Sequence, residues 1–212
     1  SITGTQLPET SPTEGWFRLN LNGTPFNDQG MARIQAWHVN NWLLKHTQVT
    51  DVGLVHLASM PHIALIELHG TRVTDEGLRH LRGLTALQAL SLHTTQVSNA
   101  GLAYLSQLRQ LSHLDLSATR VTDGGLHHLR ELPRLTELRL AGTRVQGPGL
   151  LELAAARVPL SVELNDALVT DQSLLQLQAL ARLRELRLLG TNINPAVLEQ
   201  LRKARPDLKV IA

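Results

Sequence analysis

The chain has 212 residues, a net charge of +2 from 20 basic and 18 acidic side chains, and no cysteine, which removes disulfides, thiolate nucleophiles and cysteine-based zinc sites from consideration. So even a charge balance argues against a nucleic-acid sleeve, and no apolar run approaches the length of a membrane span. Aromatic residues make up 3% against 42% apolar residues overall, so the interior must be built from leucine layers with few rings, which suits a thin stack better than a thick core.

Taken in order, residues 1–15 hold Gly4, Pro8, Pro12 and Gly15 among many Ser and Thr, a composition that predicts a flexible leader. All three tryptophans follow closely, at Trp16, Trp37 and Trp42. With Phe17 and Phe26 they predict a cap in which Trp16, Phe17, Phe26 and Trp37 cover the first layer. The first strand is expected at Leu19-Asn20-Leu21, followed by Phe26-Asn27-Asp28-Gln29-Gly30-Met31, a divergent copy of what comes next.

From there one pattern returns at a fixed interval. Val49, Val73, Val97, Val121, Val145, Val169 and Ile193 are each 24 residues apart, the mark of a solenoid in which each unit buries its apolar side only against its neighbours. Leu90 and Leu92 alternate with polar residues as a half-buried strand requires, and the pair recurs as Leu114/Leu116, Leu138/Leu140, Val162/Leu164 and Leu186/Leu188. After each strand, Thr50, Thr74, Ser98, Thr122 or Thr170 stands where a side-chain oxygen caps a helix, and Asp51, Asp75, Asp123 and Asp171 place negative charge at its positive end. Leu78, Leu81 and Leu84, like Leu126, Leu129 and Leu132, then mark one face of about two turns of short helix or 3₁₀ structure.

One repeat departs from the rule. Between Val145 and Val169, Gln146-Gly147-Pro148-Gly149 replaces the cap and Ala154-Ala155-Ala156 replaces larger side chains, predicting a locally tightened convex side. At the end of the sequence, Asp207-Leu208-Lys209-Val210-Ile211-Ala212 reads as one last strand, with Arg202, Lys203, Arg205, Lys209 and Pro206 discouraging pairing at the edge.

These residues resemble the leucine-rich repeat family, in particular its bacterial variety with the unit L-x-x-L-x-L-x-x-T-x-V-T-D-x-G-L-x-x-L-x-x-L. The Thr-Asp-x-Gly-Leu helix start is also similar to the cysteine-containing repeats of F-box adaptors, with Thr71, Thr95, Thr119, Thr143 and Thr191 in the place of that family's Asn or Cys. Threonine still bonds the turn backbone through its hydroxyl. The resemblance implies an α/β fold, a right-handed horseshoe with a concave parallel sheet and short convex helices, whose concave face binds a protein partner in most members. The expected domain runs over residues 16–212, about eight repeats with nine strands, the terminal one included.

Because alternate strand residues point to opposite faces, stacking the repeats predicts polar columns on the concave sheet. One runs Asn20, Leu43, Glu67, Ser91, Asp115, Arg139, Glu163, Arg187; the next runs Asn22, Lys45, His69, His93, Ser117, Ala141, Asn165, Leu189; the third runs Arg18, Asn41, Leu65, Ala89, His113, Glu137, Ser161, Glu185. The centre is rich in titrating groups, and Glu67, His69, Ser91, His93, His113, Asp115, Glu137 and Arg139 are the expected contacts of a protein partner. An alternative reading takes His69 and His93 as metal ligands, or as a catalytic pair, with Glu67 or Asp115 completing the site. An open sheet offers no water-excluding pocket or defined nucleophile, so the preferred expectation is a non-enzymatic module without cofactor or bound metal. A third reading makes these repeats the target-recognition part of a larger adaptor or effector. Arg72, Arg120 and Arg144 form an interrupted rim that suits solvent better than nucleic acid, and no membrane span and a monomeric state are expected. On the convex side, His56, His80 and His128 line up with Tyr104 as outer-helix residues.

Overall fold

A computed structural model of the chain describes residues 2–3, 17–155 and 157–212. Among the described residues ten strands form one parallel sheet in which sequence order and spatial order coincide. They are β1 (Ile2–Thr3), β2 (Phe17–Asn20), β3 (Val39–Leu43), β4 (Leu65–Glu67), β5 (Ala89–Ser91), β6 (His113–Asp115), β7 (Glu137–Arg139), β8 (Leu160–Glu163), β9 (Leu183–Arg187) and β10 (Lys209–Ile211). Nine had been expected; the additional one, β1, lies in the stretch read as a leader and pairs with Leu19 and Asn20 of β2. Trp16 lies outside the described residues, whereas Phe17 and Trp37 meet at 6.1 Å between ring centroids and Phe26 packs against the core, as the cap requires.

The other side of the stack carries α1 (Asp28–Arg33), α2 (Asp51–Leu54), α3 (Asp75–Leu78), α4 (Asn99–Leu102), α5 (Asp171–Gln176) and α6 (Pro195–Ala204), with 3₁₀ turns between them and the next strands. Segments 123–129 and 148–155 are 3₁₀ there, the first with a regular Thr122-Asp123 start and the second after the departure at Gln146-Gly147-Pro148-Gly149. Among the described residues no helix is long and apolar enough to cross a membrane.

Leucine layers fill the space between sheet and helices. Leu90, Leu114 and Leu138 point inward from three adjacent strands, with Leu78, Leu102 and Leu126 opposite, and all six are buried. Truncating such a residue to alanine costs about 2–5 kcal/mol, because a thin stack has few ways to close the void.

Two further devices fix the path of successive repeats. Thr47, Thr71, Thr95, Thr119 and Thr143 are buried and donate their hydroxyls to the carbonyl three residues back, at 2.6–2.8 Å. Just before each threonine the chain leaves the sheet through one residue in the left-handed region: His46, Gly70, Thr94, Ala118 and Gly142, with φ between 53° and 67°. Glycine costs nothing there, whereas a side chain costs about 1 kcal/mol or more.

The capping residues do more than cap. Asp51 Oδ1 accepts the backbone N–H of Thr74 at 2.8 Å, and its Oδ2 accepts the Thr74 hydroxyl at 2.6 Å; Asp75 repeats both bonds with Ser98. The hydroxyl, its own proton spent, then accepts a helix N–H, from Glu76 for Thr74 and from Ala100 for Ser98. Each aspartate thus joins one repeat to the next. The glycine of the motif follows from this: a Cβ on Gly77 would collide with Asp51 Oδ1, and one on Gly101 with Asp75 Oδ1.

The departing repeat confirms this logic by its exception. Gly147 stands where the linking aspartate would be, and one repeat later Ser173 stands where the glycine would be. Ser173 Oγ occupies the vacated space, donating to Gln146 O and forming a capping box with Thr170. At the far end, Arg205 donates to the carbonyls of Gln178, Leu180 and Leu183, each at 3.0 Å, and to Asp207, clamping the last turn to the preceding repeat. That guanidinium holds the Asp207 carboxyl down to about 2.

Candidate functional site

From β3 to β8 each pairing places residues 24 apart side by side: Glu67 beside Ser91, Ser91 beside Asp115, Asp115 beside Arg139. The third column has the same order, with Leu65, Ala89, His113 and Glu137 as successive partners. The backbone groups of these strands are spent on each other, so the outward side chains alone give the face its chemistry.

That face contains a depression of about 440 Å³, lined by all eight of the expected contact residues, Glu67, His69, Ser91, His93, His113, Asp115, Glu137 and Arg139. Lys45, Leu65 and Ala89 line it as well. Lys45 was legible as a contact, since it lies one period before His69 in the same column.

The charges at the two ends are paired within the protein. Lys45 Nζ lies 3.1 Å from Glu67 Oε2, an oxygen shielded from solvent and outside hydrogen-bond geometry. Arg139 donates its Nε to Glu137 Oε1 at 2.6 Å and lies 3.8 Å from Glu163. Arg187 and Lys209 share Glu185 in the same way, which holds the Glu185 carboxyl below its ordinary value. Such partly exposed pairs each contribute up to about 1 kcal/mol and leave the groups free to re-pair with a partner.

The middle differs. Asp115 accepts the Ser117 backbone N–H at 3.0 Å and the Ser91 hydroxyl at 3.4 Å, both neutral donors. His113 stands more than half exposed at the rim, with Nδ1 at 2.8 Å from Ser112 Oγ and Nε2 at 3.8 Å from Glu137. His46, His69 and His93 form a ladder of rings, with centroids 4.6 Å and then 4.2 Å apart. Burial, then the neighbouring His93 and His46, push the His69 imidazole below its ordinary value.

The rings of His69 and His93 are tilted by 31° to each other. Among the described residues no three His, Asp or Glu side chains are grouped as ligands of one ion. Away from this face, Arg72, Arg120 and Arg144 are exposed on the turn, and on the convex side His56 bonds Gln35 at 2.9 Å.

No family model and no curated protein matches this sequence. Solved structures do match. An internalin (inlF) from Listeria monocytogenes superposes with a TM-score of 0.70 at 17% identity, over 90% of this chain and 52% of that one. Internalin C2 from the same organism gives 0.51 at 23% identity, over 84% and 78%. This chain therefore spans about half the length of the first internalin, and at these identities the likeness is one of fold. Strand order, repeat length and these neighbours agree: the molecule is a leucine-rich-repeat solenoid.

Proposed function

We propose that the chain is a non-enzymatic, monomeric recognition module that binds a protein on its concave face, through Glu67, His69, Ser91, His93, His113, Asp115, Glu137 and Arg139. One observation carries this reading: the eight side chains surround a single open depression whose floor is rigid sheet. A rigid floor lets polar groups hold their positions before the partner arrives, so little ordering entropy is lost on binding. The opening is wide and its groups face solvent, which suits a protein surface better than a small reacting molecule.

The test is affinity capture from the native host with the wild-type domain beside a Glu67→Ala/His93→Ala/Asp115→Ala variant, with retained proteins identified by mass spectrometry. A protein held by the wild type and lost by the variant supports the proposal. The same protein held equally by both forms overturns it.

A further inference from the structure

Between the paired charges at its two ends, the middle of the depression is a notch centred on β5. Ala89 and Ser91 are its short outward side chains, and the register sets them between Leu65 and Glu67 on β4 and His113 and Asp115 on β6. Two short residues between two pairs of long ones leave a slot one strand wide, its walls about 10 Å apart. Glu67 already faces Lys45, whereas Asp115 takes part in no ion pair among the described residues.

We propose that this notch receives an arginine side chain of the protein partner, with the guanidinium on the Asp115 carboxylate. The inference rests on the concave face being the binding face and adds the chemistry of what it recognises. Leu65 and Ala89 offer apolar surface to the methylene stem, and the exposed His113 ring, two residues from Asp115 on the same strand, offers an aromatic surface. A planar guanidinium uses both features, pairing with the carboxylate through two parallel N–H bonds and stacking on the ring. A lysine ammonium would satisfy the charge but neither the fork geometry nor the stacking. Binding would neutralise the one carboxylate of the depression that the protein leaves without a cation.

The test is a selection of random displayed dodecapeptides on the wild-type domain, followed by affinity measurement on Asp115→Asn and Ser91→Arg variants. Asp115→Asn keeps an oxygen for the Ser117 N–H, so the fold has no reason to fail, and Ser91→Arg fills the notch from within. The expected result is a set of peptides sharing one arginine. Replacing that arginine by citrulline or by lysine, or Asp115 by Asn, should each weaken binding at least about tenfold, and citrulline combined with Asp115→Asn should cost little more than either alone. Peptides blocked by Ser91→Arg but carrying no shared arginine would overturn the arginine inference and leave the concave face as the binding surface. Peptides indifferent to both variants, or no binding peptides at all, would count against both.

Discussion

Asn99→Asp is the substitution whose outcome follows most directly from the geometry. In the neighbouring repeats a carboxylate takes the hydroxyl proton of the next Ser or Thr, at 2.6 Å for Asp75 and Ser98, which frees the hydroxyl to cap its helix. Asn99 reverses the polarity, donating its Nδ2 to Thr122 Oγ1 at 2.8 Å while its Oδ1 still accepts the Thr122 backbone N–H at 2.9 Å. Thr122 makes no capping bond, and the segment Asp123–Leu129 that follows is 3₁₀ throughout. Aspartate at this position makes Thr122 a donor again and turns its oxygen toward the free N–H groups. The restored cap is worth about 1 kcal/mol and the added negative charge at the helix start about 0.5 kcal/mol. For a chain of this size that raises the melting temperature by about 3–6 °C. Thermal and urea unfolding followed by far-ultraviolet circular dichroism measure it, and the urea slope should not change. In the opposite direction, Asp75→Asn should cost about 1 kcal/mol through the lost cap. Asp75→Ala should cost about 2–4 kcal/mol, because the Ser98 N–H and hydroxyl both lose a charged acceptor. If Asn99→Asp leaves stability unchanged or lowers it, the link between repeats does not work through this polarity.

Ala118, at φ 53° and exposed, should gain about 0.5–1 kcal/mol when replaced by glycine, part of the relieved strain being offset by the freer unfolded chain; a urea midpoint that falls would contradict the strain argument. Arg205→Met removes a guanidinium that serves three carbonyls and Asp207, and should destabilise the last repeat by about 3 kcal/mol; hydrogen exchange should then speed up in β9 and β10 while β5 stays protected. His69 should titrate below the ordinary value of 6.5 in an NMR titration, and move upward in His93→Ala, because one of its neighbouring charges is gone. The folded protein then binds fewer protons at His69 than the unfolded chain does, so stability falls as pH drops below about 6.5 and levels off beneath the lowered value. A His69 midpoint at or above 6.5 would refute this.

The columns of the concave face were legible because the period holds at 24 residues from β3 to β8, so position in the sequence is position on the sheet. At the borders the steps are irregular, with the register shifting between Phe17 and Arg18 and between Leu160 and Ser161. The capping role of Thr50, Thr74 and Ser98 was also legible, since it depends on residues near in sequence. The partner of each aspartate was not: Asp51 and Asp75 read as charges on their own helices, while their bonds go to the next repeat. The replacement of Asp by Gly147 together with Gly by Ser173 carried that information, two departures that make sense only as one contact. Nor was the left-handed column visible, since His46, Gly70, Thr94 and Ala118 share a backbone conformation and no side-chain chemistry. The pairing of Lys45 with Glu67, and the ladder of imidazole rings, depend on side-chain rotamers that spacing does not determine.

The measurement closest to the central claim is site-specific photocrosslinking in the native host, with a benzophenone side chain placed at Ser161, beside Glu137 on the concave sheet, or at Ala103 on the convex 3₁₀ turn. Both positions accept a larger side chain without disturbing the leucine layers. The concave-face account predicts a discrete protein adduct from position 161 and none from position 103. An adduct from position 103 alone would place recognition on the opposite surface and contradict it.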